Sequence, residues 1–198
     1  MRAKPLEVLL LASVLALGAT AAQAGWQDVA NPHDAERLGQ LQESKEKGMQ
    51  EASAGPDIAV IRAVLDPASQ PISDGEARGA WRCRTIKLGG MTPSMVYSWF
   101  SCRIADRGGH LFFEKLSGSQ RTSGWLYPQG DGSYVYLGAT SMNSEKPHAY
   151  SGSGASAGAT ATPDDQIGVL SAIGDGRARI ELPYPVQEST FDVIELKR

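Results

Sequence analysis

The sequence predicts a mainly β protein of the α+β class, an antiparallel eight-stranded β-barrel or sandwich preceded by two N-terminal helices. From residue 72 onward, short runs of β-branched and aromatic residues are separated by turns about every eight to twelve residues. The turns are rich in glycine and aspartate, which accept positive φ. Strands and helices do not alternate, which argues against a parallel sheet. We therefore place a helical segment at residues 25–71 and a β domain at residues 72–198, in one globular unit.

Residues 1–24 have the pattern of an export signal. Arg2 and Lys4 give a positive start, Val8 to Leu17 is apolar, and Ala22-Gln23-Ala24 fits a cleavage site. The apolar run is shorter than the roughly 20 residues that a membrane-spanning helix needs. We therefore expect a periplasmic or secreted protein with no membrane span after signal cleavage.

Charge and composition narrow the possible partners. The formal net charge of the chain is −3, and this mild acidity argues against a general nucleic-acid binder, which normally carries a basic excess. No glycine-rich phosphate loop precedes a helix, and the histidines lack the spacing of zinc ligands. We expect no nucleic-acid partner, no metal, no cofactor and no recognisable catalytic residue.

The N-terminal region predicts two helices, Trp26 to Ala54 and Pro56 to Leu65. Asn31 suits the N-cap of the first helix and Pro32 its first position. The apolar stripes of both helices are thin, so we expect them to cap the β domain.

Eight strands are predicted in the β domain. They are Ala80–Leu88, Met95–Ala105, His110–Leu116, Arg121–Tyr127, Ser133–Ala139, Ile167–Ile173, Arg177–Pro183 and Thr190–Leu196. The small-residue segment Ser151 to Thr162 has nothing to bury and predicts a mobile loop, with a lid as the functional alternative. Its G-x-S-x-G match at Gly154 to Gly158 lacks the strand-to-helix context of a nucleophile, so we read it as chance.

The stretch from Gly79 to Ile104 organises the β domain because it contains both cysteines. Two cysteines in an exported chain predict a disulfide, here Cys83–Cys102 across a hairpin. Because side chains alternate along a strand, one side of the hairpin is expected to face the core. That side holds Trp81, Cys83, Thr85, Val96, Phe100, Cys102 and Ile104.

The opposite side of this hairpin carries the first candidate binding residues. They are Arg82, Arg84, Tyr97, Trp99 and Arg103, beside Ile86 and Ser101. Guanidinium groups and flat aromatic rings suit an anionic or carbohydrate partner. The alternative, which we favour, is cross-strand cation–π and ion pairing among these residues, beneath the N-terminal helices.

A second candidate group lies between two strands, at Ser119, Gln120 and Arg121. Its side chains can present donors to a ligand. The structural alternative is a buried Arg121 paired with a carboxylate such as Glu188.

Several segments together resemble domain-of-unknown-function family 4893, a group of exported bacterial proteins. They are Trp81-Arg82-Cys83-Arg84, Lys87-Leu88-Gly89-Gly90, Tyr97–Ile104, Gly118-Ser119-Gln120-Arg121 and Pro183–Ser189. The resemblance spans most of the chain from about Trp26 to Leu196 and implies export and a single domain, but no catalytic residue. A looser likeness, at the level of architecture, is to small exported β-barrels that inhibit proteases or lysozyme.

The sequence leaves three functions open. The leading hypothesis is a non-catalytic binding or inhibitor-like module of the bacterial envelope, acting through the arginine-rich side or the loops at one barrel end. Its partner would be an envelope protein, a glycan or an anionic small molecule. The alternatives are an envelope hydrolase, which needs His110 or Ser119 close to a carboxylate, and a structural envelope protein.

Overall fold

Eight antiparallel strands close into a barrel, and a short additional strand, β2, pairs with one of them. The structure is a computed structural model that describes residues 25–152 and 161–198. The strands are β1 Gly79–Leu88, β2 Ser94–Val96, β3 Phe100–Arg107, β4 His110–Lys115, β5 Gln120–Pro128, β6 Tyr134–Met142, β7 Asp165–Gly174, β8 Arg177–Pro183 and β9 Phe191–Lys197. The sheet runs β1-β3-β4-β5-β6-β7-β8-β9, and β9 pairs back onto β1. The barrel alternative of the prediction is therefore confirmed over the sandwich.

Two sequence expectations lie wholly or mostly outside the described residues. They are the export signal at 1–24 and the loop from Ser151 to Thr162, which is described only at its two ends. Both ends bind one carboxylate: the backbone amides of Ser151 and Thr162 each donate to Asp165, at 3.0 and 2.7 Å.

The first predicted helix is interrupted. Its residues form a 3₁₀ turn, Trp26–Asp28, and two α-helices, α1 Pro32–Gly39 and α2 Leu41–Ala52; α3 is Ile58–Leu65 and α4 is Asp74–Ala77. Pro32 begins α1 because its fixed φ suits the first helical turn. The short helix α4 was not predicted, although Ser73 and Glu76 form a capping box that marks its start.

The hairpin around the disulfide is confirmed with one correction. The predicted strand Met95–Ala105 is split into β2 and β3 by residues 97–99, and this break resets the alternation of its side chains. Val96 pairs with Ile86 and packs with it on the outside of the barrel. The prediction that Val96 shares the inner side with Phe100 is therefore wrong.

Alternation along the strands gives the barrel an apolar interior. The disulfide between Cys83 and Cys102 lies there, with Cα atoms 5.8 Å apart, as predicted. The largest apolar cluster inside the barrel is Ile72, Ala77, Trp81, Cys83, Cys102, Ile104, Leu111, Phe113, Leu126, Tyr134, Tyr136, Leu170, Ala178, Ile180, Leu182, Ile194 and Leu196.

The helices cover part of the outer wall, as their thin apolar stripes predicted. Side chains of α2 and α3 pack on Ile86, Leu88, Phe191 and Val193. A buried polar network holds α1: Tyr150 donates to Asp34 at 2.6 Å, and Arg37 donates to Asp34 and to the Asp165 carbonyl. Within the described residues, no helix is long and apolar enough to cross a bilayer.

Candidate functional site

The interior of the barrel changes from apolar to polar toward one end, which we call the barrel mouth. Inward-facing side chains at this end surround a cavity of about 120 Å³. Those that carry polar groups are Thr85, Lys87, Lys115, Gln120, Thr122, Thr140, Gln166 and Asp192. The rim of the cavity comes from residues 163–164, before β7, and 185–188, between β8 and β9.

A buried tyrosine separates the barrel mouth from the apolar interior. The ring of Tyr136 occupies the space that Gly138 leaves, since a Cβ on Gly138 would lie 2.1 Å from its hydroxyl oxygen. That hydroxyl is 2.6 Å from the hydroxyl of Thr122, which donates in turn to the side chain of Gln166. Burial raises the pKa of Tyr136, so the phenol stays protonated and donates. The floor of the mouth is therefore a neutral hydrogen-bonded chain.

One wall of the mouth holds a buried lysine that has no counterion in the described part of the chain. Lys115 is 7 % exposed. Its ammonium donates to the Gln120 carbonyl at 2.7 Å and lies 4.3 Å from the centre of the Phe100 ring. Among the described residues, no carboxylate lies within ion-pair distance of it. Burial, and secondarily the charge of Lys87, lowers the pKa of Lys115 to about 8.

Lys115 lies where the wall of the barrel opens. The pairing of β4 with β5 ends at Glu114 and Ser123, so the strands diverge before the turn that joins them. The amine of Lys115 bridges this gap through its bond to Gln120. A second cleft of about 90 Å³ lies at the gap, and Lys115, Arg121 and Thr122 line both cavities.

Arg121 supplies a second cation whose donors are only partly used. One terminal nitrogen of its guanidinium donates to the Glu145 carbonyl at 2.9 Å. Its Nε is buried and has no hydrogen-bond partner among the described residues. The expected pairing of Arg121 with Glu188 is wrong, because the Glu188 carboxylate pairs with Lys87 instead.

The opposite wall places a lysine between two carboxyl groups. Lys87 pairs with Glu188 of the rim and lies opposite Asp192 in the register of β1 and β9. Asp192 is 4 % exposed and accepts a hydrogen bond from Ser189 at 2.6 Å. Burial raises the pKa of Asp192 to about 7, against the lowering effects of Ser189 and Lys87. Tyr97 lies on this side, with its ring centre 5.9 Å from the Lys87 ammonium.

The rim between β8 and β9 is fixed by close contacts. Tyr184 and Glu188 adopt left-handed backbone conformations, with φ of 39° and 72°. Gly90, in the β1–β2 turn, approaches so closely that a Cβ there would lie 2.3 Å from the Glu188 carbonyl. Glu51 of α2 accepts hydrogen bonds from the Gly90 amide and the Thr190 hydroxyl. The helix, the hairpin turn and the rim therefore support one another.

The structure places the predicted site residues in three locations. Gln120 and Arg121 line the barrel mouth, and Tyr97 lies beside Lys87, whereas Ser119 is exposed in the β4–β5 turn. The other four lie on the outside of β1 and β3 or in the segment before β3. We call them the arginine face: Arg82, Arg84, Trp99 and Arg103.

The arginine face is largely paired with its own neighbours. Arg84 donates to Glu195 at 2.7 Å and stacks over Trp99, with 4.6 Å between its guanidinium carbon and the ring centre. Arg103 pairs with Glu114 at 2.8 Å. Arg82 is exposed and has no ion-pair partner among the described residues. Cation–π and ion pairs therefore occupy most of this surface, while its use as a binding site stays a prediction.

Sequence reasoning missed Lys87, Lys115 and Asp192. A signal for Lys115 was present, because it continues the inward alternation of Leu111 and Phe113 along β4. An ionisable residue at such a position is unusual, since a buried charge is costly without a partner.

A histidine–carboxylate pair also lies at this end of the barrel. His148 Nδ1 is 3.1 Å from Asp164, a rim residue, and its Nε2 is 3.9 Å from Glu145. The histidine and the serine of the hydrolase hypothesis lie apart, because His110 begins β4 and Ser119 follows its end. Among the described residues, no group of three His, Cys, Asp or Glu side chains is arranged to hold a metal.

Comparison with known proteins supports the resemblance found in the sequence. No curated protein and no solved structure gave a significant match. The model of the family described as Domain of unknown function (DUF4893) matches residues 26–196, nearly the whole chain. The chain therefore belongs to this family.

Proposed function

We propose that the protein is a non-catalytic binding module that takes a small ligand, or the end of a larger one, into the barrel mouth. One observation carries the proposal: an open cavity lined by polar side chains lies above a closed, uncharged floor, and some of its donors have unused hydrogen-bonding capacity among the described residues. The clearest are the ammonium of Lys115, which donates to one carbonyl and pairs with no carboxylate in the described part of the chain, and the Nε of Arg121, which has no partner there. Buried donors without partners are uncommon in folded proteins, and a bound ligand is one explanation.

The size of the cavity limits what enters it. Pockets for drug-sized ligands measure roughly 300–1,000 Å³, whereas this cavity is about 120 Å³. An apolar cavity of about 150 Å³ accepts a molecule the size of benzene. The occupant is therefore a small polar molecule or one terminal group of a longer chain, with the remainder outside the rim.

The surroundings of the mouth favour binding without a large rearrangement. The disulfide crosslinks β1 and β3 within the interior, and Glu51, Gly90 and Glu188 connect the rim to α2 and the hairpin turn. A site that is already ordered loses less conformational entropy when the ligand binds. The disulfide also fits an oxidising compartment, and a periplasmic or secreted location belongs to this proposal.

A ligand screen with two variants tests the proposal. Small carboxylates, phosphates, amines and sugars are offered to the native protein, and binding is followed by thermal shift and saturation-transfer NMR. We expect hits that lose binding in Thr85→Phe, which fills the mouth with a larger ring. Binding should persist in the matched outer variant Arg82→Ala/Arg84→Ala/Trp99→Ala, because the arginine face lies outside the barrel.

The same screen can contradict the proposal. Hits that survive Thr85→Phe but fail in the triple variant would move the site to the arginine face. Circular dichroism of both variants controls for folding. A native protein that binds no member of the library would leave the mouth without a ligand and count against the proposal.

A second candidate function is hydrolysis, favoured by the pair of His148 with Asp164. A carboxylate that orients a histidine is one part of a general-base arrangement, and Asp164 belongs to the rim of the cavity. Hydrolysis of ester or glycoside reporters by the native protein, abolished in His148→Gln, would support this function over simple binding.

A further inference from the structure

We infer that the group received by the barrel mouth is an oxyanion, a carboxylate or a phosphate, held between Lys115 and Arg121. The inference rests on the proposed function and names the chemical class of its ligand. Both residues line the same two cavities where β4 and β5 diverge. An oxyanion would accept hydrogen bonds from both cations at once, and such charge-assisted bonds are the strong ones.

Lys115 lacks a countercharge among the described residues. Buried ammonium groups are normally paired with a carboxylate, because a charge removed from water is costly. Lys115 instead has one carbonyl and one aromatic ring as its contacts in the described residues. These contacts orient the ammonium without neutralising it. An anion in the cavity would supply the missing charge.

The carboxyl groups around the mouth lie beside residues other than Lys115 and Arg121. Glu188 pairs with Lys87. Asp164 accepts from the Thr140 hydroxyl at 3.1 Å and lies beside His148. Asp192 faces Lys87 on the far strands. Lys115 and Arg121 are therefore the cations of the mouth that pair with no carboxylate among the described residues.

Arg121 carries a donor that has no partner in the described part of the chain. Its Nε is buried, although the terminal nitrogen beside it already binds the Glu145 carbonyl. A guanidinium held at one edge presents its remaining N–H groups in a fixed direction, which suits the planar or tetrahedral oxygens of carboxylate and phosphate. Lys115 and Arg121 thus provide the two kinds of donor that oxyanion sites commonly combine.

Amide chemical shifts of the full protein test the inference with four probes. Acetate and inorganic phosphate are the oxyanions, methylammonium is the cation, and glycerol is the neutral probe, all at constant ionic strength with chloride. We expect acetate or phosphate to shift the amides of Thr85, Gln120, Thr122 and Gln166 at concentrations at least tenfold lower than the other probes need. The oxyanion that binds more strongly identifies whether the site prefers a carboxylate or a phosphate.

Variants show whether the two cations are responsible. Lys115→Met should weaken oxyanion binding at least tenfold, and Arg121→Gln should weaken it by a smaller factor. Lys146→Met removes an exposed lysine and serves as the matched control for net charge, with binding unchanged. Oxyanion binding that is equally strong in Lys115→Met would overturn the inference.

The outcomes separate this inference from the proposed function. If glycerol, methylammonium or a library hit of other charge binds in the mouth while both oxyanions do not, the oxyanion class is wrong and the binding function stands. If no probe and no library member shifts the mouth amides, both fail. Shifts confined to Arg82 and Arg103 would place anions on the arginine face and overturn the inference.

Discussion

The arginine face and the barrel mouth both gather cations on the same sheet, but their countercharges differ. On the arginine face, Arg84 and Arg103 bind carboxylates of neighbouring strands. In the mouth, Lys115 and Arg121 donate to backbone carbonyls and pair with no carboxylate among the described residues. A cluster of arginine and tryptophan in a sequence is therefore compatible with a surface whose charges are already paired within the protein. An inward-facing lysine without a carboxylate is the stronger indication of a ligand.

The largest change in the free energy of unfolding is expected when a paired carboxylate on the outside of the barrel is removed. Glu195 is 3 % exposed and accepts hydrogen bonds from both Arg84 and Arg177. Glu195→Gln should lower the free energy of unfolding by about 3 kcal/mol, because it leaves two guanidinium groups without their countercharge. Urea denaturation measures this loss. A change below about 1 kcal/mol would show that water solvates the two guanidinium groups when the Glu195 carboxylate is removed.

The second prediction is that a substitution in the mouth stabilises the protein. Replacing Lys115 with methionine should raise the free energy of unfolding by about 2 kcal/mol near neutral pH, because it removes a buried charge that has no partner. The folded-state pKa of Lys115 lies below its unfolded value, so this gain should disappear as pH rises from about 8 toward 10. Urea denaturation at several pH values is the measurement. Destabilisation at neutral pH would mean that Lys115 supports the fold.

The third prediction uses pH to test the far wall of the mouth. Burial raises the pKa of Asp192 to about 7, above the usual 3.9 or so of an unfolded aspartate. The folded state therefore binds the extra proton, and stability should fall as pH rises from about 4 to 7. In Asp192→Asn the total fall in stability between about pH 4 and 7 should be smaller by on the order of 2 kcal/mol. Parallel pH–stability curves for the two proteins would contradict the burial of this carboxyl group.

The smallest effect is expected at the edge of the arginine face. Arg82 is exposed and has no ion-pair partner among the described residues. Arg82→Ala should change the free energy of unfolding by less than about 0.5 kcal/mol. The midpoint of urea denaturation is again the readout. A larger loss would reveal packing of the Arg82 stem against the sheet.

Local patterns in the sequence predicted most of the barrel. Turn residues such as Gly108, Gly109 and Gly132 have the positive φ that their type suggested. The two cysteines of one predicted hairpin are bonded. These features depend on residues that are close in sequence, so they can be predicted from local patterns.

Other features depend on contacts that are distant in sequence. The break at residues 97–99 is hidden in the predicted strand Met95–Ala105, whose aromatic residues continue through it, because nothing local shows that β1 changes its partner there. The mouth is assembled from strands as far apart in the chain as β1 and β9. Lys87 and Asp192 become neighbours only when the barrel closes. Their pairing therefore could not be predicted from spacing.

The most direct test of the account is the titration of the Lys115 side chain by NMR, with and without an oxyanion. We predict that its ammonium titrates near pH 8 in chloride and at a higher pH when acetate or phosphate is present, because a bound anion favours the charged form. Lys146, which is exposed, serves as the internal control and should not move. A Lys115 that titrates near its ordinary pKa of about 10.4, unchanged by either anion, would contradict the account.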